Sequence, residues 1–403
     1  MKTGSEQQDQ SKLKITNIEP IIVSVPYKHR ETSTRVQRDG VTAVLIKITT
    51  DTDIVGWGES CPGPNVESIY QIIVSTIPIF TGRNPFDREA IAHDFFATAH
   101  WFHREMSGNF AFAGIDMALW DIFGKACQQP IYNLFGGLYR QSVNYFYYLA
   151  YGDANSVASQ AKRGLKMGYT VFYIKVGLDF EAEMPMIATL RETIGPNCKI
   201  RIDTNGAWSV NQAVRYLNQF DRYQIDFAEQ PVWPDPIRNM VEVRNRTSVA
   251  LAANEGLWRV SDVYEIIRQR AADVLCFSSN WVGTLTQFHR LSHIAHMEGL
   301  SVCRHTHGEL GLMAAASHQV CLSLPNLVDG NQQTAEMMQD DILTEPLPIA
   351  SRSDWEAPKG VGLCVSVDEK KVKKYHHLYE KQGQFLPYQP SMFITDPKSE
   401  VKS

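Results

Sequence analysis

Apolar and polar positions along this chain change their period twice. Between Ile15 and Val25, and again between Val41 and Thr49, Ile and Val recur with partial alternation, and Gly56-Trp57-Gly58-Glu59 closes a third short run. These runs predict a three-stranded antiparallel meander. From about Val66 the spacing becomes helical, through Ile69, Ile72, Ile73 and Ile77 and later Phe110, Phe112, Ile115, Met117, Leu119, Trp120 and Ile122. Strands followed by helices make the first 135 or so residues an α+β unit. From about Asn144 a short apolar strand followed by an amphipathic helix repeats. The strands are Tyr145–Ala150, Val171–Lys175, Ile200–Asp203, Ile225–Glu229, Ala250–Asn254, Val274–Phe277, Ser301–Cys303 and Leu327–Asp329, with helices such as Val210–Phe220 and Ser261–Arg270 between them. Eight such units predict an α/β barrel of (β/α)8 type. A doubly wound sheet is the competing architecture, but the first βα turn carries no GxGxxG to hold a dinucleotide. Beyond Asp329 the chain is Pro-rich (Pro346, Pro348, Pro358), and Gly360 and Gly362 precede a predicted helix, Asp368–Gln384.

Length and composition narrow the class. A chain of 403 residues is too long for one compact core. The expected division is a disordered tail over 1–12, an α+β capping unit over 13–140, the barrel over 141–345, and a segment over 346–403 that returns to the cap. A hydrophobic content of 44% with 21% charged residues fits a globular enzyme and excludes a fibrous or largely disordered chain. The formal charge of −5, without a long basic run, argues against nucleic acid or an anionic membrane as the main partner. Seven cysteines, an odd number with no CxxC pair, suit reduced thiols in a cytosol. Met1 to Lys12 is polar, and no later run is long and uncharged enough to span a bilayer, so a cytoplasmic protein is expected.

The informative residues are polar ones that close apolar strands, because a barrel gathers its strand ends at one mouth. Asp203 closes Lys199-Ile-Arg-Ile-Asp203, Glu229 closes Ile225-Asp-Phe-Ala-Glu229, and Glu255 closes Leu251-Ala-Ala-Asn-Glu255. Each is 26 residues, one βα unit, after the one before. Any one of them alone reads as a cap on the following helix. Three side by side repel unless a cation joins them, and oxygen ligands with room for water or substrate suit Mg²⁺. The preceding strand ends in Lys175, whose alternatives are a general base with a tuned pKa or an ion-pair partner of a carboxylate. On the far side, Leu300–Cys303 runs into Arg304-His305-Thr306-His307-Gly308-Glu309, where a histidine can be a second acid/base or a capping or core residue.

These residues resemble the enolase superfamily, most closely its mandelate racemase and muconate-lactonizing branch. The resemblance covers nearly the whole chain: Ala113-Gly-Ile-Asp116-Met-Ala-Leu-Trp120-Asp121-Ile-Phe-Gly124-Lys125, Pro130 and Leu134-Phe-Gly136-Gly137 before the barrel, then Asp203-Thr-Asn205, Glu229-Gln230-Pro231 and Asn254-Glu255 within it. It implies a capping domain whose loops specify substrate, a modified (β/α)7β barrel, and Mg²⁺ held by Asp203, Glu229 and Glu255. It also implies abstraction of the proton α to a carboxylate to give an enediolate, and a homo-oligomer, dimer or octamer.

Two positions depart from that branch. The second strand commonly ends Lys-x-Lys and here ends Tyr173-Ile174-Lys175, so Tyr173 replaces the first lysine and Lys175 matches the usual base. The sixth strand offers Ser278 where a lysine or aspartate belongs. His305, 27 residues later, matches the racemase-type histidine but lacks its aspartate partner. A histidine so placed suits an acid better than a base, and racemisation needs two competent bases where dehydration needs one base and one acid. The expected activity is therefore dehydration of an acid sugar, with Lys175, His305 and Tyr173 catalytic and Asn205, Ser278, His307, Tyr27, Arg304 and Asp329 contacting substrate. The polar, basic Pro26-Tyr27-Lys28-His29-Arg30 favours a hydroxylated or anionic substrate tail, and Trp101, Phe102 and His103 are candidates to close the mouth. Gly58-Glu59 with Cys61-Pro62-Gly63-Pro64 instead resembles relatives acting on proline derivatives, which keeps a racemase, epimerase or dehydratase of a cyclic amino acid such as a hydroxyproline as the alternative. A non-catalytic metal-binding scaffold is the alternative from another class.

Overall fold

The computed structural model describes residues 13–63, 65–98 and 106–386. The expected tail over 1–12, Pro64, and the mouth candidates Trp101, Phe102 and His103 lie outside the described residues.

The meander forms as the pattern predicts. β1 (Ile15–Thr32), β2 (Gln37–Thr50) and β3 (Val55–Ser60) pair antiparallel in that order. β1 runs seven residues past Val25, because a register shift between Pro26 and Glu31 lets pairing resume as Glu31↔Arg38 and Thr32↔Gln37. The alternation is only partial because both faces are buried. Ile18, Ile22, Val44, Ile46 and Ile48 pack into one core with Ile69, Ile73, Phe112, Ile115 and Leu119. The intervening Val23, Val25, Ala43 and Leu45 join the barrel core. The cap helices are α1 (Val66–Phe80), α2 (Arg88–Thr98) and α3 (Met106–Ala126), followed by the single turn α4 (Ile131–Leu134). β3 lies directly on α3: a Cβ at Gly58 would be driven into the Gly114 carbonyl. Gly58→Ala is expected to cost about 1–3 kcal/mol as the strand and helix are forced apart, read as a lower Tm with little change in KM for whatever substrate it turns over.

The barrel follows β4 (Ser142–Asn144), which pairs with a late strand. Its units are β5 (Tyr147–Leu149), α5 (Ala154–Lys166), β6 (Val171–Lys175), α6 (Phe180–Ile194), β7 (Lys199–Asp203), α7 (Val210–Phe220), β8 (Ile225–Glu229), α8 (Arg238–Arg244), β9 (Leu251–Ala253) and α9 (Val260–Arg268). They continue with β10 (Val274–Phe277), α10 (Ser279–Val282), α11 (Leu285–Met297), β11 (Ser301–Arg304) and α12 (Gly311–Ser323). The seven parallel strands lie in chain order, β5 to β11. The expected eighth strand, Leu327–Asp329, is reduced to isolated bridges. Leu327 pairs with Val302 and Asn331 with Tyr145, which closes the ring between β11 and the residues leading into β5. The result is a modified (β/α)7β barrel with an α+β cap.

Buried carboxylates fix the cap on the barrel. Glu59 of β3 accepts from the Leu310 and Met313 amides at the start of α12 (2.7 and 3.0 Å), and Asp116 of α3 accepts from the Leu285 amide opening α11 (2.8 Å). Each places an anion on a helix N-terminus. Burial pushes these carboxyls up, to about 8 for Glu59 and about 7 for Asp116. β12 (Asp354–Glu356) pairs with β4, and α13 (Glu369–Gln382) returns to β1, with a His376 Nδ1 contact to the Ile22 carbonyl at 2.7 Å and a Lys47–Glu369 ion pair. All seven cysteines are free. No helix among the described residues is long and apolar enough to cross a membrane.

Candidate active site at the barrel mouth

Strand register brings three of the expected residues to one level: Lys175 pairs with Asp203, and Asp203 with Glu229, at the C-terminal ends of β6, β7 and β8. Glu255 stands two residues beyond β9, joined to the others through Asn205, whose Nδ2 donates to Glu255 Oε1 (2.8 Å) and to Asp203 Oδ2 (3.3 Å). Asn205 has φ of 49°, a left-handed conformation uncommon outside glycine, and its own amide donates to Asp203 Oδ1. Asp203 Oδ2 also receives the Tyr173 hydroxyl and Lys175 Nζ, the latter at 2.6 Å.

Asp203 and Glu229 are buried, Glu255 is half-buried, and the set is incompletely satisfied. Gln332 Nε2 donates to Glu229 Oε2 (2.7 Å), while Glu229 Oε1 and Glu255 Oε2 have no hydrogen-bond partner among the described residues. Burial and the nearby Asp203 hold the Glu229 carboxyl well above the ordinary value and push Glu255 up to about 7. Burial favours a neutral Lys175, but Asp203, Glu229 and Glu31 outweigh it and raise its pKa. As the side chains stand, no three acidic, His or Cys groups among the described residues are close enough together to hold one ion. Both Asp203 oxygens and Oε1 of Glu255 are taken up instead by Lys175, Tyr173 and Asn205. Two orphaned carboxylate oxygens, on carboxyls forced toward neutrality, nonetheless fit a hard divalent cation, which would satisfy them and relieve the repulsion.

In the metal-free protein this repulsion has a pH signature. A carboxyl whose folded pKa lies above its unfolded one binds a proton on folding, so its contribution to stability is full below the unfolded value and is lost as pH rises. For Glu255 the loss runs from 4.5 to about 7. With chelator present, the Tm of wild type is therefore expected to fall relative to Glu255→Gln across that window, and added Mg²⁺ should flatten the difference. Parallel Tm–pH curves for the two proteins would show that Glu255 carries no such penalty.

Across the mouth, just past the end of β11, His305 is seated by its amide bonding to the Phe277 carbonyl. Its ring meets Trp281 edge-on at 4.7 Å, and its buried Nδ1 has no partner among the described residues. Burial, with His307, Lys175, Arg304 and Arg38 nearby, holds its pKa well below the ordinary histidine value. Ser278 is buried beside it at the end of β10.

The β1–β2 hairpin folds over this mouth. Thr34 Oγ1 donates to the Thr204 carbonyl, Arg35 lies over the Trp233 ring, and buried Arg38 pairs with Glu31 while donating to the His307 carbonyl (both 2.6 Å). Tyr27 is buried beneath Arg38. His307 packs against Phe110, and burial together with Arg38 holds its pKa down to about 4.

Three expectations are corrected. Arg304 does not reach the mouth: it is fully buried, paired with Glu309 and bonded to the Gln332 carbonyl, because a guanidinium closing a strand here is held by its own loop. Asp329 sits at the other end of the barrel, largely exposed, near Lys199 at the start of β7, because the shortened last strand presents Gln332 to the mouth instead. Lys28, His29 and Arg30 face solvent across the bulge, where Lys28 bonds to the Glu336 carbonyl and Arg30 to Asp39. The inward charges are Glu31 and Arg38. The sequence reading also passed over Tyr148, whose buried hydroxyl has no partner, and Gln332. Arg38 stands in the polar stretch Gln37-Arg38-Asp39 ahead of Val41, where nothing local marks it as inward-facing.

Residues 17–136 match the N-terminal domain of mandelate racemase / muconate lactonizing enzymes, and residues 156–371 match the enolase C-terminal domain-like family. An N-succinyl-L-Arg/Lys racemase of Bacillus cereus is 28% identical over 77% of this chain and 85% of its own length. A D-gluconate dehydratase of Thermoproteus tenax is 25% identical over 83% of this chain and 69% of its own. The solved structure of an enolase from Streptomyces coelicolor superposes with a TM-score of 0.84 at 26% identity, covering 92% of this chain and 99% of that one. Relatives across the superfamily are Mg²⁺-dependent enzymes that include racemases, epimerases, cycloisomerases and a dehydratase. With two family models spanning cap and barrel, this chain belongs to the mandelate racemase / muconate lactonizing branch of the enolase superfamily.

Proposed function

We propose that this protein is a Mg²⁺-dependent hydro-lyase that removes water from an acid sugar. The observation that carries the reading is the inequality of the two groups facing each other across the mouth. Lys175 is embedded in carboxylates and a tyrosine hydroxyl; His305 has an aromatic neighbour and a partnerless Nδ1. A racemase needs two matched bases, and dehydration needs two unlike groups.

Asp203, Glu229 and Glu255 would hold the ion, with Asn205 bridging the first and third. When bound, Mg²⁺ would supply positive charge to the substrate carboxylate and offset most of the charge of its three ligands. Lys175, no longer pinned as an ammonium by Asp203 and Glu229, takes the proton α to the carboxylate. Tyr173 keeps its hydroxyl on Asp203 and so fixes that carboxylate's orientation. His305 gains a proton when the anionic substrate lies beside it, and delivers it to the leaving hydroxyl. The hairpin, latched by Thr34, Arg35 and Arg38, excludes water from the mouth. The Tyr148 hydroxyl and the Asn205 Oδ1, both without partners, suit a polyhydroxylated chain. The likeness to a D-gluconate dehydratase supports the same substrate class.

The test is incubation with pooled acid sugars, hydroxyproline derivatives and 2-hydroxy acids in D₂O, with and without Mg²⁺, followed by proton NMR. Conversion of an acid sugar to its 2-keto-3-deoxy product only with Mg²⁺ is expected. Exchange of the α-proton without net loss, on any substrate, would replace the dehydratase reading with an epimerase or racemase.

A further inference from the structure

On the outside of the barrel, α11 carries His289 and His293 one turn apart. Their Nε2 atoms are 3.2 Å apart and their rings are edge to face at 4.5 Å. Two imidazoles at i and i+4 can share one cation. Metal–nitrogen bonds of about 2.0–2.1 Å put the two nitrogens about 3.4 Å apart at a tetrahedral angle and about 2.9 Å apart at a right angle. The observed separation falls between those limits.

The rest of the surroundings prepares a ligand rather than a plain contact. His289 has a hydrogen bond to the Phe135 backbone and packs against the Phe135 ring at 5.1 Å, which in turn stacks on Trp120. A ring held from one side by backbone and aromatic packing presents its remaining nitrogen in a fixed direction, as outer-shell partners of metal-binding histidines do. Burial and the neighbouring His293 keep His289 unprotonated, its pKa down at about 4, so the lone pair is available near neutral pH. Both side chains are half-buried, leaving one side of the pair open to solvent for further ligands.

We propose that His289 and His293 chelate a divalent ion of the zinc-to-copper series at a second site, independent of the barrel mouth. Imidazole nitrogen selects such ions, whereas Mg²⁺ prefers oxygen, so the two sites sort their metals by ligand chemistry. The ion would tie α11 near the Phe135 turn that links cap to barrel.

The experiment titrates the full-length protein with Zn²⁺ by calorimetry near neutral pH in excess Mg²⁺, which keeps the carboxylate site filled. Wild type and His296→Asn, which removes an exposed histidine from the same helix, are expected to bind one equivalent with the same affinity. His289→Asn and His293→Asn are each expected to bind about tenfold more weakly or not at all, and to lose a Zn²⁺-dependent rise in Tm. Matching Tm values without zinc identify variants that fold normally. Equal uptake by wild type and His293→Asn, a loss in His296→Asn as large as in His293→Asn, or no saturable uptake by wild type would overturn the site. The contact would then be an ordinary ring-to-ring hydrogen bond.

Discussion

Glu229→Gln is expected to lose Mg²⁺-dependent turnover by about 10³-fold while raising the Tm of the chelator-treated protein. The first effect follows from deleting a full negative charge from the set that would bind the ion, in a buried site where charge stabilisation dominates. The second follows from the same burial seen without the ion. Glu229 Oε1 has no partner, and Asp203 lies on the adjacent strand end, so an ionised Glu229 is unfavourable in the folded state and harmless in the unfolded one. Its folded pKa is raised, so at neutral pH the folded protein either takes up a proton or bears the repulsion, and both reduce stability. An amide keeps an oxygen for Gln332 Nε2 and carries no charge. The gain should be a few degrees, since about 1 kcal/mol moves the Tm of a domain this size by about 2–4 °C. Activity assays and calorimetry of the same two proteins check it. A variant that melts below wild type in chelator would show that Glu229 is compensated in a way its neighbours do not reveal.

Lys175→Ala and His305→Asn are expected to fail in different ways. Lys175→Ala should lose both α-proton exchange into D₂O and product formation, by about 10²–10⁴-fold, the usual contribution of a positioned acid or base. His305→Asn should lose product formation by a similar factor and keep exchange, because the proton still leaves the α-carbon and returns when the hydroxyl cannot depart. The measurement is exchange and turnover on one substrate by NMR. Exchange surviving in Lys175→Ala and abolished in His305→Asn would reverse the two roles. Equal loss of exchange in both would point to two bases, and so to racemisation.

Much of the frame was legible in the chain itself. The meander, the cap helices and the barrel strands follow from period, since buried strands and amphipathic helices must each expose or hide residues at fixed intervals. The helix expected over Ser261–Arg270 forms as α9, Val260–Arg268, and that over Asp368–Gln384 as α13, Glu369–Gln382. The equal spacing of Asp203, Glu229 and Glu255 pointed to one rim because one βα unit advances the barrel by one strand. What the chain could not show were contacts between elements distant in sequence. Nothing local says that Arg38 reaches the His307 carbonyl, 269 residues away, or that Gln332 reaches Glu229. Asp329 faces the other end of the barrel because the last strand is too short for composition to place its polar residues, whereas Arg304 is turned from the mouth by Glu309 and the Gln332 carbonyl, partners its own strand does not contain.

The last stave of the barrel offers a way to watch the site from outside it. Around Leu327 to Asn331 the amides hang on a few isolated bonds, not a full ladder, so they should exchange with deuterium from bulk water sooner than those of β6 to β8. Gln332, at the end of that segment, is tied to Glu229. A filled rim that holds Glu229 in place holds Gln332 with it, so slower amide exchange along the seam would report occupancy of the rim with no substrate known and no turnover measured.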